Sequence, residues 1–320
     1  MNILITGACG MVGSHMVDVL HTEGRHHVIG TYHNPTTDIN DINGKADLVA
    51  CDVRNYEKVL QIITNYKPQK IFHLAAQSYP TVSWEKPVET MDINANGTIH
   101  VFEAVKSVRK QDQGYDPVVV VACSSAEYGL SLTPENTPVK ETAALLPLHP
   151  YGVSKVAQDL LSFQYFQNDK IKCIRARIFN TTGPRKVNDV VADFTMRAVD
   201  IEKGRMKKLR VGNLSTKRAI TDVRDLVSAL LLLSEKGTWG EAYNISGDKV
   251  YQIKEIIPII EETIGMKVET EVDPALLRTT DEPIIFGDST KLKQDTGWRQ
   301  TYELKTTISD MIGYLRNKSV

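Results

Sequence analysis

The chain has little cysteine, no surplus of either charge and no long apolar run, and each shortage removes a class of protein. Its four cysteines, Cys9, Cys51, Cys123 and Cys173, are scattered over 320 residues without a CxxC pair. That spacing fits reduced thiols and argues against a disulfide frame or a zinc site, so no metal is expected. The formal net charge is -1. No overall positive field therefore favours nucleic acid or an anionic membrane as partner, and any anion site must be local. Apolar runs such as Val118 to Cys123 and Ala229 to Leu233 are far too short to span a bilayer. The amino terminus, MNILITG, enters a strand pattern without a basic segment or cleavage site, so a cytoplasmic protein without a signal peptide is expected.

What is present reads as an ordinary soluble chain, since 42% hydrophobic and 24% charged residues suffice for a sizeable core and argue against disorder. Asn2 to Thr6, Val28 to Tyr32, Leu48 to Cys51, Lys70 to Leu74, Val118 to Cys123 and Lys172 to Ile178 read as strands separated by helical spacing. Val153, Val156, Ala157, Leu160 and Leu161 form the apolar stripe of one such helix. Strand, helix, strand in repetition predicts an α/β fold: a doubly wound parallel sheet of Rossmann type with a smaller mixed substrate-binding lobe. The expected boundaries are 1–178 for the dinucleotide-binding domain, with return segments within 211–245, and 179–320 for the lobe. There a loop from Asn180 to Val191 and a helix near Phe194 to Lys203 are expected.

The first functional signal is TGACGMVG at 6–13, directly after the opening strand and before a helix. Gly7, Gly10 and Gly13 permit a tight turn, a close approach to a pyrophosphate and close helix packing, with Met11 opening the helix whose free N–H groups face the anion. A NAD site usually ends its second strand in a carboxylate. Here Thr31-Tyr32-His33-Asn34 stands instead, which favours NADP(H) over NAD(H), with His33 and Thr36 or Thr37 toward the 2'-phosphate. No arginine supplies the usual fork at this place in the sequence. Asp52, followed by Val53, is read either as an adenine contact or as a helix N-cap.

The second signal is Tyr151-Gly152-Val153-Ser154-Lys155. Tyrosine and lysine four apart on a helix share a face, so an ammonium can stay beside a phenol whose ordinary pKa near 10 is too high for proton transfer at neutral pH. Alone, such a pair is more often a core-edge tyrosine with a solvated lysine. A strand-end serine, Ser124 in VACSS, and the glycine turn shift the reading to chemistry: Ser124 binds the reacting oxygen and Tyr151 exchanges its proton.

These motifs resemble an extended short-chain dehydrogenase/reductase. HLAAQS (73–78), NANGT (94–98), SSAEYG (124–129), PYGVSK (150–155), FNTTGPR (179–185) and TDVRD (221–225) carry that resemblance from end to end. VGNLSTKR (211–218) and GDSTKLKQDTGW (287–298) resemble the branch of GDP-mannose 4,6-dehydratases and GDP-4-keto-6-deoxymannose reductases. The resemblance implies that Leu74, Ala75 and Ala76 line the cofactor cleft and that Lys155 also holds the nicotinamide ribose. It implies substrate contacts from Ser83 and Asn180, and diphosphate contacts from Arg185, Arg218 and Arg278, each of which also reads as a surface ion pair. Ala219 departs from the acidic residue commonly found after that arginine.

The dehydratase strand end resembles Thr-Ser-Glu-Leu-Tyr-Gly, and alignment on Tyr128 and Gly129 places Ala126 at the eliminating glutamate. A methyl group takes no proton. Glu127, one residue on, is the remaining candidate base, and an exposed carboxylate is its commoner state. The expected reaction is hydride transfer at C4 of a nucleotide-linked hexose, GDP-linked as the branch motifs imply, with GDP-4-keto-6-deoxymannose reductase first. The alternatives are a GDP-mannose 4,6-dehydratase using Glu127, a nucleotide-sugar epimerase and a non-catalytic nucleotide-binding module. A homodimer through the helix Gly152 to Phe166 is expected from the resemblance, burial of its stripe on the sheet being the other reading.

Overall fold

The computed structural model describes residues 1–277 and 282–318. Its main element is a parallel sheet of seven strands: Asn2–Thr6 (β1), His27–Tyr32 (β2), Asp47–Ala50 (β3), Lys70–His73 (β4), Val118–Ser124 (β5), Cys173–Ile178 (β6) and Ala242–Ile245. Their spatial order, from the Ala242–Ile245 edge, is that strand, β6, β5, β4, β1, β2, β3. The order reverses between β1 and β4, the switch point at which doubly wound sheets bind ligands. Six of the strands were legible as apolar runs. The seventh comes from the return segment and pairs with β6, Ile245 opposite Ile178.

Helices cover both faces because alternate strand residues point to opposite sides. In β1, Ile3 and Ile5 join Met16 and Leu20 of Met11–Glu23 (α1), whereas Leu4 joins the opposite cluster. That second cluster includes Ile62 and Ile63 of Tyr56–Tyr66 (α2). Short helices Pro80–Glu85 (α3) and Pro87–Met91 (α4) lead through a wide turn at Asp92–Asn96 into Gly97–Gln111 (α5). The lobe has its own core, where Phe194 and Ala198 of Val190–Glu202 meet Ile256, Ile308 and Ile312. No helix among the described residues is long and apolar enough to cross a membrane. All four cysteines are buried and unpaired.

The helix Pro150–Asp169 (α6) is the fold's departure from its own sequence pattern. Apart from Tyr165, which stacks on Phe102, its buried side chains are polar, Ser154, Lys155, Gln158, Asp159 and Ser162, while Val153, Leu160 and Phe163 are exposed. The apolar stripe therefore does not lie on the sheet, as one reading of it required. The inner face is occupied instead by hydrogen-bonded and charged groups at the end of β5, which offset their burial by pairing with one another.

Candidate active site

The glycine turn is built for a close-lying ligand. Gly7 has φ +74, and a Cβ there would meet Ala75 at 2.9 Å; at Gly13 it would lie 2.4 Å from the Gly7 carbonyl. Gly10 caps α1 without any side-chain acceptor for the first N–H groups. A Cβ at Gly10 would meet nothing nearer than 3.4 Å, so the turn is open on that side. Met11 follows as the first residue of the helix and is buried. Leu74, Ala75 and Ala76 run alongside, half-buried, and the N–H groups of Leu74 and Ala75 donate to Thr6 Oγ1 at 3.1 and 3.2 Å. Such a cradle suits the pyrophosphate of a dinucleotide.

At the far corner, His33 Nε2 lies 3.4 Å from Asp52 Oδ2, and Arg54 holds the same carboxylate with Nε and Nη2, the latter at 2.6 Å. That Arg54 fork holds Asp52 below the ordinary carboxylate range. The cap of α2 is Asn55, whose side chain accepts from Lys58 N, so Asp52 is not the N-cap. Val53 is buried against Gly97, and its carbonyl accepts from His100. Thr36 and Thr37 both donate their backbone N–H to Cys9 O, tying this corner to the glycine turn. Nothing in the linear sequence singled out Arg54; only the fold brings its guanidinium beside His33.

At the end of β5 the chain turns at Ser125–Glu127. Ser124 and Tyr151 share a side-chain hydrogen bond, and Lys155 Nζ lies 5.8 Å from the centre of the Tyr151 ring. A Cβ at Gly152 would come within 2.6 Å of Ala126 O, so the glycine lets α6 press its tyrosine against the strand end. Burial pushes the Tyr151 phenol up to about 12 and the Lys155 amine down to about 8. Both shifts follow from the cost of a charge in a dry site. The arrangement holds a neutral phenol beside a hydroxyl and an amine poised near neutrality, which is what protonating a carbonyl oxygen requires.

Glu127 is not the exposed carboxylate that its type suggested. It is 0% exposed, its Oε1 accepts from Ser124 N at 2.7 Å, and its Oε2 lies 3.4 Å from Arg177 Nε. It closes a capping box with Ser124, whose Oγ accepts from Ala126 N. Burial and the neighbouring Asp159 raise its pKa well above the ordinary value. The side chain is thus turned behind the strand end.

On the substrate side the expected residues divide. Asn180 receives Thr221 N on its carbonyl, and its side-chain Oδ1 is buried without a hydrogen-bond partner among the described residues, an acceptor a ligand donor would satisfy. Arg218 is buried on the strand Lys217–Ala219 and donates to the carbonyls of Lys217 and Glu282. Ser83 is buried and donates its hydroxyl to Pro80 O at 2.6 Å within α3. Arg185 pairs with Asp18 of α1 at 2.7 Å and with Asp41 at 3.3 Å, as its ion-pair reading required. Arg278 lies outside the described residues.

Behind the site His73 is fully buried between Thr6 and Thr98, and burial pushes its pKa down to about 3. The unfolded chain therefore binds a proton first, and stability falls as pH drops from about 6.5 toward 3. Between pH 7 and pH 5 this one group should cost about 2 kcal/mol. Urea unfolding at the two values should show that loss, and His73→Gln should remove it.

Parallel sheet, glycine turn, strand-end serine and the tyrosine-lysine helix together define an extended short-chain dehydrogenase/reductase. The family model for GDP-mannose 4,6 dehydratase matches residues 4–311. The chain belongs to that family. It is 28% identical over 243 residues to a GDP-6-deoxy-D-mannose reductase of Pseudomonas aeruginosa, covering 75% of this chain and 78% of that one. It is 31% identical over 319 residues to a putative UDP-glucose 4-epimerase of Methanocaldococcus jannaschii, covering 99% of each. The solved UDP-glucose 4-epimerase of Thermus thermophilus in complex with NAD superposes with a TM-score of 0.87 over 99% of each chain, at 26% identity.

Proposed function

We propose that this protein is a nicotinamide-dependent oxidoreductase acting at C4 of a nucleotide-linked hexose, with GDP-4-keto-6-deoxymannose as the substrate it reduces. The relatives divide among dehydratase, reductase and epimerase, reactions that share an oxidation-reduction step at C4 and differ in the chemistry coupled to it. The reading rests on one observation: at the strand end Ala126 offers only a methyl group, while Glu127, the turn's one carboxylate, is buried behind Ser124. That leaves the proton-exchanging set without an elimination base, which favours the reductase over the dehydratase.

The bound nicotinamide would supply the hydride. Tyr151 delivers its proton to the developing C4 oxygen, Ser124 donates a hydrogen bond to the same oxygen, and Lys155 lowers the cost of the phenolate. Gly7, Gly10, Met11, Gly13, Leu74, Ala75 and Ala76 hold the cofactor. His33 and Arg54 at the far corner, with no carboxylate ending β2, favour NADP(H). Asn180 and Arg218 serve the nucleotide-sugar. The protein is incubated with GDP-mannose plus catalytic NADP, and separately with GDP-4-keto-6-deoxymannose plus NADPH or NADH. Stoichiometric NADPH consumption with the keto sugar alone is expected. Loss of water from GDP-mannose without net cofactor turnover would make the protein a dehydratase.

We further propose a homodimer through α6, whose outward Val153, Leu160 and Phe163 gain a cover in this way. Sedimentation velocity at micromolar concentration should give about twice the chain mass, and Leu160→Glu should shift it to the monomer.

A further inference from the structure

Lys155 sits in a seat whose hydrogens can all be assigned. Its Nζ donates to Ala122 O at 2.8 Å and to Gln158 Oε1 at 2.7 Å. Gln158 Nε2 in turn donates to Thr98 Oγ1 at 2.8 Å, and Thr98 donates to Asn94 O at 2.6 Å. Thr6 Oγ1 already accepts from two backbone N–H groups, so its own hydrogen goes to His73 Nδ1 at 2.8 Å. His73 then carries its proton on Nε2 and donates to Thr98 at 3.1 Å. Lysine has no acceptor to offer while charged, so the amide oxygen of Gln158 must face it.

Every bond in this row has one permitted direction. Thr98 receives two hydrogens and gives its own to a carbonyl, and the amide of Gln158 passes no proton through. The row behind Lys155 is an anchor and cannot act as a proton wire. Two of the amine's valences are fixed in the charged and neutral states alike, and the third is left for the Tyr151 side.

We propose that Gln158 is the positioning residue of the site: seated on Thr98, it fixes the Lys155 amine so that its one exchangeable position serves Tyr151 and the cofactor cleft. This rests on the reading of Tyr151 and Lys155 as the proton-handling pair. The titratable groups around the amine are Cys123 on β5, Glu127 on the turn, Tyr151 on α6 and His73 on β4. Among the described residues only Gln158 gives it a side-chain hydrogen bond.

The test tracks Lys155 itself in protein carrying carbon-13 at the lysine ε carbons, its resonance identified by loss in Lys155→Met. The wild-type midpoint is expected near pH 8. Gln158→Glu places a carboxylate on the amine and should raise the midpoint by about one unit or more. Gln158→Met removes both bonds and should lower the midpoint and reduce kcat about tenfold or more, with a smaller rise in KM for the cofactor. If the folded variants keep the wild-type midpoint, the proposal is overturned; should Gln158→Met fail to fold, Gln158→Glu decides alone. A wild-type protein inactive on nucleotide sugars would overturn the proposed reaction, while the titration would still judge Gln158.

Discussion

Tyr151→Phe is expected to lose about 10²–10⁴-fold in kcat for the keto sugar while binding NADPH within a few-fold of wild type. The substitution keeps the ring that lies 5.8 Å from the Lys155 nitrogen and removes only the hydroxyl bonded to Ser124. Loss of packing is therefore small, and loss of the proton donor is complete. Nucleotide binding by fluorescence, together with steady-state rates, separates the two. A variant that keeps activity within tenfold would remove Tyr151 from the role; one that binds no cofactor would assign the residue to binding.

Arg177→Met should be the most damaging change to stability, costing about 3–5 kcal/mol. Arg177 donates to Asp159 at 2.9 Å, to Tyr128 at 2.9 Å and to the Glu141 carbonyl at 2.8 Å, and it is the cation nearest Glu127. Asp159 would retain Arg175 at 2.6 Å, but Glu127 would lose its ion-pair partner and keep only the weaker attraction of Lys155. Its pKa, already raised, would rise further. A carboxyl with a raised folded pKa holds its proton in the native state after the unfolded chain has lost it, so stability falls as pH rises through that window. The variant's deficit should accordingly be larger at pH 8 than at pH 5 in urea unfolding, and Glu127→Gln in the same chain should recover part of it. A deficit independent of pH would mean that Glu127 is not held by Arg177.

The glycine turn and the Tyr151-Lys155 pair were legible because each depends on local spacing: a turn that rejects a Cβ, and two side chains one helical turn apart. The inner face of α6 was not. Hydrophobic periodicity assigns the apolar stripe to the interior, whereas this helix buries Ser154, Gln158 and Asp159 against partners supplied by α5, β6 and the wide turn at Asp92–Asn96. Gln158 lies three residues after Lys155 and seven after Tyr151, on the same helical face, and that spacing was the available signal. The burial of Glu127 was missed for a related reason, while for Arg185 the sequence left a diphosphate contact and an ion pair both open. A charged residue type predicts solvent or ligand, but partners distant in the chain set both surroundings: Arg177 and Asp159 for one, Asp18 and Asp41 for the other. Arg54 became visible only when the fold brought it beside His33.

Hydride entry at C4 of the sugar can be followed by the fate of a label. GDP-4-keto-6-deoxymannose is reduced with NADPH carrying deuterium at the transferable position, and the product is read by proton NMR and mass. One deuterium at C4 of the hexose, with one NADPH consumed per sugar, is the expected result. A product without deuterium at C4, or GDP-[4-²H]mannose delivering its label to C6 with loss of water, would contradict it.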